Sequence, residues 1–353
     1  MQITISNHFH QQAEACSALG SCFMRRLLHL LADGDLYPVT LINRLNSWSG
    51  DPAPNKDNIP LRLAAGLHAL VLSGQDPALK ACYPPQKKSV PLVNLRMAVQ
   101  AALRNHATHI LRWLNYIPQT NEIGRSAVLI ATALMLERRF NLPLIVSELG
   151  VSAGLNLLFD QFALSSYGFT YQPHKATLTL TPDWRGPAPP PGRFQIAGRA
   201  GVDLSPINPR SSEGFLRLCA YTWPDQTERL QQLARICPRQ RVAIAQGDAA
   251  DWLRLRLATG YPGHLYLVFN TVAWHCFSLQ TQQNCRQALE TAGQQASRAT
   301  PLEHFAMEAD DQGLGAALRL QLWPDEQVIE LGRADFHGRW IAWAGNRLFK
   351  GLP

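Results

Sequence analysis

The chain has 353 residues, enough for about two domains, and is 46% hydrophobic against 17% charged, the balance of a globular protein with a sizeable core. Its net charge of +7 is spread over scattered doublets (Arg25-Arg26, Lys87-Lys88, Arg138-Arg139) with no basic run to track a phosphate backbone, which argues against a nucleic-acid partner. Seven cysteines without a C-x-x-C pair, a polar N-terminus and no uncharged apolar run near the roughly 18 residues of a membrane span exclude a disulfide framework, a zinc site and a membrane segment, so a cytoplasmic protein with reduced thiols is expected.

Residues 1–142 read as helical. Phe23, Leu27, Leu28 and Leu31 repeat at helical spacing, as do Leu63, Leu67, Leu70 and Val71. Leu95, Val99, Leu103, Ile110 and Leu114 predict a third, longer helix ending near Pro118, and a fourth runs from about Glu122 to Phe140. DPAPNKDNIP and CYPPQKK are loops by their proline and polar content, and no strand pattern appears in this half.

The stretch PLIVSELGVSAGLNLLFD (143–160) changes the pattern. A short β-prone run, Leu144-Ile145-Val146, leads to Glu148, a turn with Gly150, Ser152 and Gly154, and an apolar repeat (Leu155, Leu157, Leu158, Phe159) that predicts a helix. KATLTLTPDW then alternates like one half-buried strand, and RGPAPPPGRF is a proline-rich loop. GRAGVDLSP ends a strand with Asp203 at its tip; RVAIA is a strand followed by the turn Gln246-Gly247-Asp248-Ala249 and a helix; HLYLVFNTVAWHCF is a strand leaving Asn270 and Thr271 at its end. After a polar helix come the strand LEHFAMEAD, a hairpin turning at Pro324-Asp325, and a last strand at RWIAWA. The expected architecture is α/β: a mostly parallel sheet with an antiparallel C-terminal hairpin over 143–353, an inserted hairpin around 165–200, and a helical lid domain over 1–142.

Two chemistries compete for the 150–154 turn. G-x-S-x-G is the nucleophile elbow of α/β-hydrolases, with Ser152 as nucleophile, Asp203 or Asp248 as its acid and His275 or His337 as its base. Against it, the turn follows the first strand of its domain, and an HGGG-like oxyanion segment is missing. The alternative is a cofactor loop at the end of the first strand of an open sheet, where Gly150 and Gly154 let backbone approach a ligand and Glu148 offers a carboxylate to a cation.

ELGVSAGLN resembles the first motif of class I S-adenosylmethionine-dependent methyltransferases, with Ser152 at the middle glycine's place. GVDLSP resembles the segment that ends their second strand, QGDAADWL the one after the third, and LVFNTVAWHCF the fourth strand and its active-site tip. The resemblance implies a Rossmann-like methyltransferase fold binding S-adenosylmethionine through Arg125, Glu148, Gly150, Ser152, Gly154, Asn156, Asp203, Asp248 and Ala249. Asp203 would meet the ribose hydroxyls, and Asp248 with Ala249 would edge the adenine. Asp203 lies far beyond the roughly 20 residues usual after the glycine turn, an excess that an inserted hairpin would absorb, with Asp160 as the fallback. QTNEIGR, ELGVSAGLN, GVDLSP, YTWPDQTERL and HGRW also resemble an uncharacterised bacterial family over nearly the full length.

Asn121, His275 and Asn270 are the candidate catalytic residues. Each has a structural reading beside the chemical one: Thr120 or Asn121 as a helix N-cap with Glu122 and Arg125 an exposed pair, His275 as a hydrogen-bonded histidine under the next helix. His106 and His109, three apart on a helix, read as structural rather than as a metal pair. Tyr167, Tyr171, Tyr221 and Trp223 read as packing residues, any of which would suit a sulfonium by cation–π attraction. The expected function is methyl transfer from S-adenosylmethionine to a small molecule. Cyclisation of the cofactor to azetidine-2-carboxylate with release of methylthioadenosine, the hydrolase, and a non-catalytic binding protein are the alternatives.

Overall fold

The computed structural model describes residues 3–85 and 90–345, so Lys87-Lys88 and the end of the CYPPQKK loop lie outside the described residues. The chain forms two compact units, Met1–Thr120 with Pro209–Ala234, and Asn121–Asn208 with Arg235–Pro353. The stretch 121–142, grouped with the helical half on sequence, thus belongs to the second unit, and 209–234 to the first. Among the described residues no helix is long and apolar enough to cross a membrane.

The first unit is helical, with helices at Ile3–Ala18, Cys22–Leu31, Val39–Asn46, Ile59–Leu72, Leu92–Asn105, Ala107–Leu114 and Ser212–Tyr221. The apolar positions that predict them (Leu27, Leu31, Leu63, Leu67, Val99, Leu103, Ile110) close into one buried cluster. The predicted third helix is two: His106 (φ −118°, ψ 29°) leaves the helical region and divides it. The His106 ring lies 3.5 Å from the Asp76 carboxylate, while His109 bonds the Gly66 carbonyl at 3.0 Å, so the two imidazoles have separate partners.

Among its described residues the second unit holds twelve strands: β1 Leu144–Leu149, β2 Phe162–Ser166, β3 Phe169–Tyr171, β4 Leu178–Leu180, β5 Asp183–Arg185, β6 Ile196–Asp203, β7 Ile244–Gln246, β8 Leu265–Thr271, β9 Leu302–Ala309, β10 Ala316–Trp323, β11 Gln327–Ala334 and β12 Trp340–Trp343. Nine form one sheet in the order β5-β12-β11-β10-β9-β8-β1-β6-β7. From β7 to β9 all neighbours are parallel; β9 to β12 form an antiparallel meander, with the β10–β11 turn at Pro324-Asp325 as predicted. Every residue of β1 and β8 is buried, which is why both read as near-continuous apolar runs. The helix Ser126–Phe140 precedes β1 and is buried at every residue from Ser126 to Leu136, so it reads as apolar all round rather than amphipathic.

Two expectations are corrected here. The apolar repeat after the glycine turn forms a short 3-10 helix, Asn156–Gln161, that passes directly into β2. Leu155, Leu157, Leu158 and Phe159 are all buried, so the segment has no solvent face to make it an amphipathic helix. KATLTLTPDW is not one strand. Pro182, which has no N–H to give a ladder, separates β4, part of a small sheet β3-β2-β4, from β5, which pairs with β12 at the far edge of the large sheet.

Candidate functional site

In the parallel half of the sheet, β1 is flanked by β6 on one side and β8 on the other, and the chain leads outward from β1 in both directions. This is a topological switch point, and the crevice outside its carboxyl ends is where open α/β sheets bind ligands. Three segments meet there: the turn 150–154, the loop after β6, and the loop after β8.

The turn is built on alternate residues with positive φ: Gly150 (+69°), Ser152 (+53°) and Gly154 (+75°). The space a Cβ would need at Gly150 is taken by the Ala273 methyl at 2.6 Å, and at Gly154 by Gln240 Nε2 at 2.4 Å. At both positions it is neighbouring protein chain that occupies the place of a side chain, so the need for glycine is met by packing within the protein. Asp203 closes the turn from β6. One carboxylate oxygen accepts the Ser152 N–H at 2.8 Å and the other the Ser205 N–H at 2.8 Å. The small sheet β2–β4 lies in the chain between turn and aspartate, and the parallel pairing of β1 with β6 brings them together. Asp160, the fallback, is held by Arg199 at 2.8 and 2.9 Å.

Glu148 is the second-last residue of β1 and only 2% exposed. Its Oε2 has no hydrogen-bond partner, nor has the amide nitrogen of Asn156, whose Oδ1 accepts from the Ser126 hydroxyl at 2.8 Å. Burial pushes the Glu148 carboxyl well above the ordinary range; Arg125 pulls it back, Asp203 adds to the rise, and Asn156 pulls it back again. Of the two readings of Arg125, an exposed pair with Glu122 or a site residue, the exposed pair fails, because both residues are buried. The Arg125 guanidinium donates to the Thr271 carbonyl at 2.7 Å and the Phe336 carbonyl at 2.8 Å, contacts far away in sequence that outweigh a local i,i+3 pairing. Nor is Asn121 a helix cap. Its Oδ1 accepts the Leu155 N–H at 2.7 Å and so fastens the end of the glycine turn.

The third segment follows β8. Val272 has φ +53°, a strained conformation for a β-branched residue, and its N–H donates to the Met307 carbonyl at 2.8 Å. Asn270 is fully buried with its amide engaged at both ends: Oδ1 accepts from His304 Nε2 at 2.8 Å and Nδ2 donates to Glu308 Oε1 at 2.7 Å. Burial lowers the His304 pKa to about 4, which keeps that ring neutral. Glu308 Oε1 also accepts the backbone N–H of Ala273 (2.9 Å) and Trp274 (3.1 Å), while Oε2 lies 3.8 Å from His275 Nδ1. Contact with the Cys276 sulfur, 3.4 Å from Nε2, and with Glu308 raises His275 to about 10. A ring protonated at neutral pH donates a proton rather than abstracting one, so in this state His275 is an acid or a cation. Neither Glu308 nor Cys276 stands out in the sequence. The adjacency of His275 and Cys276 was the available signal, and Glu308 is joined to them only by the fold.

The remaining predicted residues are engaged elsewhere or exposed. Asp248 caps the helix Ala249–Leu257, accepting from Ala250 and Asp251 N–H and, at 2.7 Å, from the Thr281 hydroxyl; burial raises its pKa, but these bonds outweigh it and hold the carboxyl below the usual range. Ala249 is buried in an apolar cluster with Val202 and Leu253. Tyr171 stacks on Phe194, Tyr167 is fully exposed, and Tyr221 and Trp223 belong to the first unit. For the hydrolase reading, Ser152 has the strained backbone of an elbow, but a 3-10 helix follows it where an elbow has an α-helix, and the His275 ring is turned to Cys276 and Glu308. Among the described residues no group of three or more His, Cys, Asp or Glu is placed to hold a metal.

No curated protein matches the chain. The family model described as "Uncharacterized protein conserved in bacteria (DUF2332)" matches residues 6–343, nearly the whole length, and the chain belongs to that family.

Proposed function

We propose that the chain binds S-adenosylmethionine at the carboxyl ends of β1, β6 and β8 and uses it to methylate a small molecule. The observation that carries this reading is Glu148 with Asn156: a buried acceptor and a buried donor at the switch point of the sheet, which face each other in a contact that falls short of a full hydrogen bond. A poorly satisfied buried polar atom costs about 1–3 kcal/mol, and a ligand with a cation for the carboxyl and an anion for the amide serves each better than the other does. The zwitterionic end of an amino acid does so, its ammonium on Glu148 and its carboxylate on the Asn156 amide, with the Arg125 charge close by.

When bound, S-adenosylmethionine supplies a methyl group on a cationic sulfur. The residues on this chain supply position. Asp203 keeps the turn and the β6 loop together through its bonds to the Ser152 and Ser205 N–H groups, at the strand tip where the ribose hydroxyls would lie. Asn121 fixes Leu155, and Arg125 ties the helix before β1 to the ends of β8 and β11. In-line displacement depends on such placement more than on acid–base power, which suits a site with no ready base at neutral pH.

Titration calorimetry with S-adenosylmethionine and with S-adenosylhomocysteine tests the reading. Binding of either that weakens at least about tenfold in Glu148→Gln is expected; silence toward both overturns it. Incubation with S-adenosylmethionine and mass spectrometry of the products then separates the chemistries, because methyl transfer yields S-adenosylhomocysteine and cyclisation yields methylthioadenosine.

A further inference from the structure

We propose that Cys276 is a nucleophilic thiol, paired with His275 and oriented through Glu308, and that it forms a covalent bond with electrophilic carbon in an activated acyl or alkyl group. This inference uses none of the cofactor contacts above and stands apart from them.

The geometry has the three parts an activated nucleophile needs: a nucleophile within reach of an imidazole, and an imidazole oriented by a third group. The Cys276 sulfur is 3.4 Å from His275 Nε2, and Glu308 Oε2 is 3.8 Å from Nδ1, so the ring faces sulfur on one side and carboxylate on the other. The carboxylate cannot swing away, because its other oxygen accepts from the Asn270 amide and from the Ala273 and Trp274 N–H groups. Asn270 is fixed in turn by His304. That series gives the buried Asn270 a positioning role reaching the surface through Glu308. A further charge lies nearby in Arg286, over the Trp274 ring at 5.3 Å.

Exposure fits the role. Cys276 is exposed and the His275 side chain is half-exposed, whereas Cys16, Cys219, Cys237 and Cys285 are buried. The ring stands where it can carry the thiol's proton as sulfur attacks, and the thiolate is the form that reacts. In the step, the sulfur electron pair forms an S–C bond as the bond from carbon to its leaving group breaks. The leaving group departs with that bond's electrons and takes the proton from His275, so Cys–SH and R–X become Cys–S–R and HX.

Cys22 supplies an internal control. It too is exposed, as the first residue of the helix Cys22–Leu31, but among the described residues no imidazole bonds it. The experiment is alkylation of the intact chain with substoichiometric iodoacetamide from pH 5 to pH 9, with each cysteine's rate read by peptide mass spectrometry and normalised to its rate in urea. Cys276 is expected to react at least about tenfold faster than Cys22 at pH 6.5, with a rate that changes little between pH 6 and 8. His275→Asn, a change at a half-exposed side chain, is expected to bring Cys276 down to the Cys22 rate and restore a steep rise with pH. Equal rates for the two cysteines in the parent chain, or an unchanged Cys276 rate in His275→Asn, overturn the proposal.

Discussion

The large sheet buries two glutamates, Glu148 near the end of β1 and Glu303 near the start of β9, and they differ in what surrounds them. Both are at most 2% exposed, and burial lifts both carboxyls well above the ordinary range. Glu148 sits at the strand tips with the Arg125 charge and the Asn156 amide beside it. Glu303 pairs across the sheet with Leu267 and Leu322; both its oxygens lack partners, and its nearest charges, Arg139 and Asp325, are engaged with each other. The first surroundings can supply or accept charge when a ligand arrives. The second favour a carboxyl that keeps its proton. Burial alone therefore does not mark a functional acid; the partners within reach do.

Arg125→Met gives Glu148 surroundings like those of Glu303. It removes the compensating charge and leaves the Thr271 and Phe336 carbonyls without their donor, for an expected loss of roughly 3–5 kcal/mol in urea unfolding. A loss below about 1 kcal/mol would mean that Arg125 is not a strut of the site.

Glu303→Gln has the opposite sign. A carboxyl whose folded pKa lies above its unfolded value of about 4.5 contributes its stability fully below that value and loses it as pH rises toward the folded pKa. The variant, which cannot ionise, is expected to match the parent near pH 4 and to exceed it by about 1–3 kcal/mol at pH 8, read from paired denaturation curves. Parallel stability–pH profiles would place an unseen partner on Glu303.

Glu148 obeys the same sign in the free protein, but its consequence is read in binding. A cationic ligand needs the ionised form, so affinity for S-adenosylmethionine is expected to rise with pH as Glu148 loses its proton, and to become flat in Glu148→Gln. Calorimetry at three pH values measures it, and an affinity independent of pH in the parent would remove Glu148 from the ligand.

The smallest effect concerns the loop after β8. Val272→Gly relieves a left-handed β-branched residue and is expected to stabilise the fold by about 1 kcal/mol, seen as a rise in Tm. A fall would show that contacts of the valine side chain outweigh its strain.

The legible parts of the sequence were those whose signal is local. β1 and β8 announce themselves as apolar runs, Asp203 stands at the tip of β6 as its surrounding glycine, valine and proline suggest, and the β10–β11 turn is written in Pro324-Asp325. What failed depended on distant partners. Leu155 to Phe159 has a helical apolar rhythm, but burial on all sides and the immediate start of β2 leave room only for a 3-10 turn. Arg125 reads as a surface residue until β8 and the loop after β11 bring it two carbonyls, and Glu308 is one acid among many until three donors converge on it. For Arg125 and Glu308 the deciding contacts span tens to hundreds of residues, beyond the reach of any window on the sequence.

The pairing of β5 with β12 sets an order on the folding of the sheet. β5 leaves the insertion between β1 and β6 to lie on the outer side of β12, the last strand of the sheet to be synthesised. Until Trp340–Trp343 emerges, β5 has no neighbour in the sheet and β11 presents an open edge, the kind of surface that recruits strands from other chains. The final few residues of the meander thus serve as the keystone for a segment made early, and the nascent protein stays vulnerable to self-association until its sheet is almost complete.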